Sequence, residues 1–225
     1  MKKKHLIAAL VSCAAVVTAA AVLLGILLPA REPPTAEEFY RRIYGESICG
    51  QYFDRVYYDY DGLMRNADII AIVTPLDDLT AEASYAGARY LGPDRQIVTF
   101  DKIHSFVHSD RKIKVIKYFK DEKGLGDVFT LCEECALSNE GVLVTGENYY
   151  PMLKGCTYLV ALGNQGLGKP AVLFYENRID LTHLSFNADR RHTAEVLEGL
   201  GLAQYPDEST LTTEYTKRRY RLTLG

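Results

Sequence analysis

Cys132-Glu133-Glu134-Cys135 has the spacing of a reactive pair. Two cysteines separated by two residues suit thiol–disulfide exchange when one is held as a thiolate, at a helix N-terminus or beside a cation. Here both intervening residues are glutamates, whose charge opposes a thiolate, and the motif ends a β-prone stretch. With Cys156 the pair supplies three zinc ligands, but a closed structural site takes four, and no fourth stands at a recognisable spacing. Structural disulfides or buried thiols are the commoner meaning. Cys49, Cys132, Cys135 and Cys156 are an even set beyond residue 30, so three complete pairings are open. A bridge from Cys156 to Cys132 or Cys135 is expected if their strands are neighbours.

His104 and His108 bracket Ser105-Phe106-Val107. Residues four apart share one face of a strand, so both rings can meet one metal. The spacing lacks the glutamate of the His-Glu-x-x-His motif, and two exposed strand histidines are commoner. His183 and His192 have no identifiable partner. Lys112, Lys114, Lys117, Lys120 and Lys123 make a basic strand. Its functional reading is contact with an anionic wall polymer or lipid headgroups. The reading favoured from sequence is an edge strand protected by lysines from pairing with another chain. Lys217, Arg218, Arg219 and Arg221 read as a solvated end. There is no Gly-x-Ser-x-Gly elbow and no phosphate-cradling loop. No catalytic, cofactor-binding or metal residue is assigned, and no cofactor is expected.

The elements that position these residues begin with an anchor. After Met1-Lys2-Lys3-Lys4-His5 the chain is apolar and uncharged from Leu6 to Pro29. As a helix of about 24 residues this run spans roughly 36 Å, against a hydrocarbon core of ~30 Å. The lysines keep the N-terminus cytoplasmic and send the remainder across. A cleaved signal would have an apolar region of ~7–15 residues and an Ala-x-Ala-like exit. This run is longer, and Leu28-Pro29-Ala30 fits that exit poorly. Leu10-Val11-Ser12-Cys13 looks like a lipobox, but the chain stays apolar after Cys13, where a lipoprotein continues with a polar tether.

The whole chain carries −3 and its first 30 residues carry +3, so the remainder carries −6. That excludes a general nucleic-acid binder, which would show a basic footprint. There is no Trp, and the 16 Tyr favour strands and half-wet surfaces.

Thr35 and Glu38 form a capping box for a helix over 36–44, stopped by Gly45. Asp61 is placed to cap a helical turn over 62–66. Strands are expected over 68–74, over 96–108 and 112–120 as a hairpin turning at Ser109-Asp110-Arg111, then over 127–132, 156–162 and 171–176. Segments 77–93 and 138–150 read as loops. A helix is expected over 189–199, and a second over 214–222. About five strands at short spacing read as a small barrel.

One ordered series supports a particular barrel. It runs Leu63…Ala67-Asp68-Ile69-Ile70-Ala71-Ile72-Val73, Ile113-Lys114-Val115-Ile116-Lys117-Tyr118-Phe119-Lys120, Gly126-Asp127-Val128-Phe129-Thr130-Leu131, and Met152-Leu153-Lys154-Gly155-Cys156-Thr157-Tyr158-Leu159-Val160-Ala161-Leu162. Over residues 63–176 it resembles small extracytoplasmic β-barrel domains of Gram-positive bacterial membrane-anchored proteins. These in turn look like the OB-type domain of the tissue inhibitors of metalloproteinases. The resemblance implies the fold. It does not imply protease inhibition, because nothing here matches the N-terminal cysteine those inhibitors use.

The expected molecule is mainly β with flanking helices, an N-terminal transmembrane helix followed by a five-stranded OB-like barrel. Residues 1–5 are cytoplasmic, 6–29 the signal-anchor, 30–60 a membrane-proximal linker and short helix, 61–180 the extracytoplasmic barrel and 181–225 a helical extension. The expected role is a non-enzymatic binding or interaction module at a bacterial cell surface. Its expected partners are the membrane through 6–29 and an extracytoplasmic protein or cell-wall ligand, with Tyr57, Tyr58 and Tyr60 offering an aromatic face. The alternative is an enzyme, either a thiol oxidoreductase using Cys132 and Cys135 or a metal-dependent hydrolase.

Overall fold

The computed structural model describes residues 34–51, 57–87, 89–146, 149–164, 168–172, 177–187 and 189–202, with backbone alone at 49–51 and 164. The expected anchor at 6–29 and helix at 214–222 lie outside these residues. Among the described residues, no helix is long and apolar enough to cross a membrane.

Helix α1 (Ala36–Tyr44) has the expected bounds. Thr35 Oγ1 accepts from the Glu38 amide at 3.2 Å, and Glu38 Oε2 accepts from the Thr35 amide at 3.1 Å. Gly45 ends the helix at φ +73°, where a side chain is disfavoured. Strand β1 (Ile48–Gln51) follows. Helix α2 (Tyr60–Asn66) is capped by Asp59, whose Oδ1 accepts from the Gly62 amide at 2.6 Å, and so starts ahead of the turn expected behind Asp61.

Strand β2 (Ile69–Pro75) leads into a polar connection containing the two-residue strands β3 (Ser84–Tyr85), β4 (Tyr90–Leu91) and β5 (Ile97–Val98). Then come β6 (His108–Asp121), β7 (Val128–Glu133), β8 (Cys135–Leu137), β9 (Leu143–Gly146), β10 (Tyr158–Asn164), β11 (Pro170–Val172), β12 (Ile179–Asp180) and α3 (Arg190–Gly199). Asp189 caps α3, its carboxylate accepting from the His192 amide.

The fold is mainly β and is built on a closed five-stranded barrel. Strand β2 pairs antiparallel with β6 and with β10, β6 antiparallel with β7, β7 parallel with β11, and β11 antiparallel with β10. Numbered by sequence, the ring runs first, second, third, fifth, fourth and back to first. Ile69, Ala71, Val73, Ile113, Val115, Leu131, Val160, Leu162 and Val172 fill it. The other face of β2 and β10 (Ile70, Ile72, Leu159 and Ala161) is covered by Leu63 of α2 and Val196 and Leu197 of α3. These two strands are therefore apolar on both faces, as parallel-sheet strands usually are, although they pair antiparallel here. Strands β8, β9 and β1 form a smaller sheet beside the barrel.

The expected hairpin at Ser109-Asp110-Arg111 is not present. Strand β6 runs straight through these residues, and of the segment before it only Ile97–Val98 is strand. The three are turn formers by type, but here each has a tertiary role. Ser109 and Arg111 are fully buried, while Asp110 holds Lys169. Strand β6 instead curves around the barrel through two one-residue irregularities against β2, which leave Ile116 and Phe119 unmatched. The true hairpin is β6–β7, turning after Asp121 as expected. Leu143–Gly146, expected as loop, is held as strand between β8 and β1.

Candidate functional site on the outer face of strands 6 and 7

From Ser109 to Val115 the side chains of β6 alternate strictly. Ser109, Arg111, Ile113 and Val115 are buried, while Lys112 and Lys114 are exposed and Asp110 is half-exposed. Register places Asp110 opposite Cys132, Lys112 opposite Thr130 and Lys114 opposite Val128. The two strands thus present one outer face, on which Lys112, Lys114, Thr130 and Val128 are exposed.

Edge protection, the reading favoured from sequence for the basic strand, does not account for Lys112 and Lys114. Strand β7 pairs β6 over Ser109–Lys114 and β2 pairs it over Ile113–Asp121, while the Leu76 amide and the Asp77 carboxylate hold the other side of Lys112. Neither lysine therefore lies at an open edge, whereas Lys117 and Lys120 lie where β2 alone is paired. The lysines divide by environment. Lys120 donates to the Met64 and Ala67 carbonyls, closing α2 onto the barrel, and Lys123 pairs with Asp68 at 3.4 Å. Lys117 lies over the Phe119 ring at 4.5 Å. Lys112 and Lys114 make no ion pair among the described residues.

At the start of β6 this face meets a polar rim. Lys169 Nζ donates to Asp110 Oδ2 at 2.6 Å, and Tyr85 Oη donates to the same oxygen at 3.2 Å. Asp110 Oδ1 is buried without a hydrogen-bond partner. The Tyr85 ring stacks on His108, with centroids 4.5 Å apart and planes 5° from parallel, and Lys102 Nζ lies 4.8 Å from its centroid. His104 meets His108 edge-on at 4.6 Å. The two exposed strand histidines expected from sequence are not found: His104 lies in the connection before β6 and His108 is buried, so their contact does not come from a shared strand face. Both Nδ1 atoms are engaged by the Phe106 backbone: His104 Nδ1 accepts from its amide at 3.3 Å, and His108 Nδ1 contacts its carbonyl at 3.2 Å. Burial, with His104 beside it, holds the His108 imidazole below its ordinary pKa. Among the described residues no group of three or more His, Cys, Asp or Glu is arranged to hold a metal.

The cysteine motif spans the break between β7 and β8. Cys132 and Cys135 are unbridged and buried, in separate surroundings. Cys132 lies behind Asp110 on the outer face, and burial, then Asp110 and Glu134, push its thiol up to about 12. Cys135 sits among Leu79, Leu143 and Tyr149, its thiol raised well above the ordinary range by burial and then Glu133. Both shifts oppose the thiolate that exchange chemistry needs. Cys156 packs in the barrel core, and β10, which it precedes, neighbours neither β7 nor β8, so the condition set for a bridge is not met. Of Cys49 only the backbone is described, in β1.

Searched against the known protein families and the curated proteins, the chain matches none.

Two further features border the barrel. Of the three tyrosines singled out from sequence none is buried: Tyr57 is 37 % exposed and meets His192 edge-on, while the Tyr58 amide donates to Asn177 and the Tyr60 ring lies against Gly199. A cleft of about 400 Å³ lies between α1 and β9, lined by Glu37, Tyr40, Arg41, Thr145, Tyr149 and Tyr150. Tyr40 and Tyr149 are almost fully buried there, so their rings offer no open platform. The residues that sequence reading missed are Tyr85, Asp110 and Lys169. Each is unremarkable in its own segment and gains its role only when the barrel closes.

Proposed function

We propose that the chain is a single-pass membrane protein, anchored through residues 6–29, whose extracytoplasmic OB-type barrel is a non-enzymatic binding module for an anionic cell-wall ligand at a bacterial surface. The observation that carries this reading is the pair Lys112 and Lys114. They stand exposed, with no ion-pair partner among the described residues, on the stretch of β6 whose backbone is bonded on both sides, so edge protection does not account for them. The ring order of the barrel supports the OB assignment. In that fold the second and third strands, with the first–second and fourth–fifth connections, form the usual ligand face. Here those are β6 and β7, the connection bearing Tyr85 and Lys102, and the connection bearing Lys169.

The test is co-sedimentation of the full chain, in neutral-lipid nanodiscs, with isolated cell-wall material. Wild type sediments with the wall at low salt and is released as ionic strength rises, because exposed charges are screened. The Lys112→Glu/Lys114→Glu variant stays in the supernatant. Undiminished sedimentation of that variant overturns the reading.

A further inference from the structure

We infer that the outer face of β6 and β7 takes a polymer in which anionic groups alternate with free hydroxyls, with Asp110 as the hydroxyl acceptor. This rests on the function proposed above and names its ligand class. Asp110, Lys112 and Lys114 point the same way at successive two-residue steps along β6, each step about 6.6 Å. The irregularities at Ile116 and Phe119 come later, so the row is unbroken. A face meant only for anions gains nothing from a carboxylate at its head, since that group repels the ligand. Asp110 is nevertheless there, and its Oδ1 is buried with no donor. Buried acceptors are almost always satisfied, and among the described residues no side chain or amide donates to this one.

The neighbours of Asp110 make the exchange feasible. Lys169, whose side chain is 42 % exposed, reaches Asp110 from the fourth–fifth connection. When an anionic group arrives, Lys169 turns to it; Oδ2 keeps the Tyr85 hydroxyl, and the uncovered carboxylate turns its Oδ1 to accept from the adjacent hydroxyl. Thr130, exposed opposite Lys112, offers a second hydroxyl contact, and the exposed Val128 and Ile116 meet the carbon chain. The row Asp110–Cys132, Lys112–Thr130, Lys114–Val128 contains no aromatic ring for a base to stack on. RNA, which also alternates charge with hydroxyl, is therefore the less suited polymer.

The experiment measures binding of the full chain in neutral-lipid nanodiscs to four probes of matched charge. These are poly(glycerol phosphate), polygalacturonate, inorganic polyphosphate (which has no hydroxyls along its chain) and poly(U). Poly(glycerol phosphate), polygalacturonate or both bind about tenfold tighter than polyphosphate, the scale of one charge-assisted hydrogen bond, and which of them does so identifies phosphate or carboxylate as the anion. Asp110→Asn removes that preference. Lys169→Gln weakens every probe and keeps the preference. Equal binding of polyphosphate by wild type overturns the inference and leaves the anionic-ligand reading standing, and needs no variant to fold. Binding of none of the probes overturns this inference, and retention on wall material then shows whether the function survives. Tightest binding of poly(U) replaces it with nucleic-acid recognition.

Discussion

The Arg111 guanidinium and the Glu133 carboxylate meet at 2.5 Å with neither side chain reaching solvent. Their own donors and acceptors are engaged by neighbouring groups. Arg111 Nη2 donates to the Asp77 and Met152 carbonyls, and Glu133 Oε1 accepts from Tyr149 Oη at 2.7 Å and the Met152 amide at 2.5 Å. Arg178 Nη1 stands 3.5 Å from the same oxygen. This network ties β6 and β7 to the connections on either side. Removing one partner strands the other charge in the interior, so Arg111→Leu is expected to cost about 3–5 kcal/mol in urea unfolding. Arg111→Leu/Glu133→Leu is expected to cost less than the sum of the single changes. Additive costs would show that the two charges do not depend on each other.

The same residues mark where sequence reading succeeds and fails. The bounds of α1 were legible because a capping box and a glycine stop are local signals. Strands β2 and β10 were legible because both faces are apolar. Ser109-Asp110-Arg111 was misread because its turn propensity is local, whereas the partners that hold it extended, Glu133, Asp77 and Lys169, come from other segments. The candidate site divides in the same way. The two histidines share one short stretch, but Asp110 and Lys169 are 59 residues apart, and no spacing rule joins them. Nor does one strand's sequence disclose whether it lies at an edge, so the lysines of β6 needed the ring order to be interpreted.

Cys132 and Cys135 should behave as sealed thiols. With Cys132 pushed up to about 12 by burial, the folded protein keeps a proton that the unfolded chain loses near its ordinary value of about 9. This contribution to stability is whole below pH ~9 and is lost as the pH climbs toward 12. Peptide-resolved alkylation at pH 8 is expected to leave both cysteines unmodified until urea unfolds the barrel. Rapid native modification of either one would restore the redox alternative.

His108 titrates in the opposite sense. Burial, with His104 adjacent, lowers its pKa, while Asp110 raises it and Lys169 lowers it. The folded rim therefore binds a proton less readily than the unfolded chain. Its contribution to stability is whole above pH 6.5 and falls as the pH drops below that value. An NMR titration should place the His108 midpoint below 6.5. Tyr85→Ala opens the stacked face of the ring and should move the midpoint back toward the ordinary value. A wild-type midpoint at or above 6.5 would mean that the stack does not exclude water.

Gly87 tests whether the rim depends on backbone packing as well as on its side chains. The Ala86 amide donates to the Lys102 carbonyl at 3.2 Å, so the segment after β3 runs against residues 102–105. A Cβ at Gly87 would lie 2.3 Å from the His104 carbonyl oxygen and 3.3 Å from Ser105 Cα. These are backbone atoms and cannot swing aside as a long side chain can. Gly87→Ala must push residues 102–105 outward, taking His104 off the edge of His108 and Lys102 off the Tyr85 ring. The expected cost is about 1–3 kcal/mol, the usual scale of overpacking, with amide exchange quickened across 102–106 and unchanged in β2 and β10. The barrel would stay closed while the rim loses its order, so polymer binding through Asp110 and Lys169 should weaken although neither residue is altered. Unchanged exchange in 102–106 would mean that this close approach is not maintained in solution.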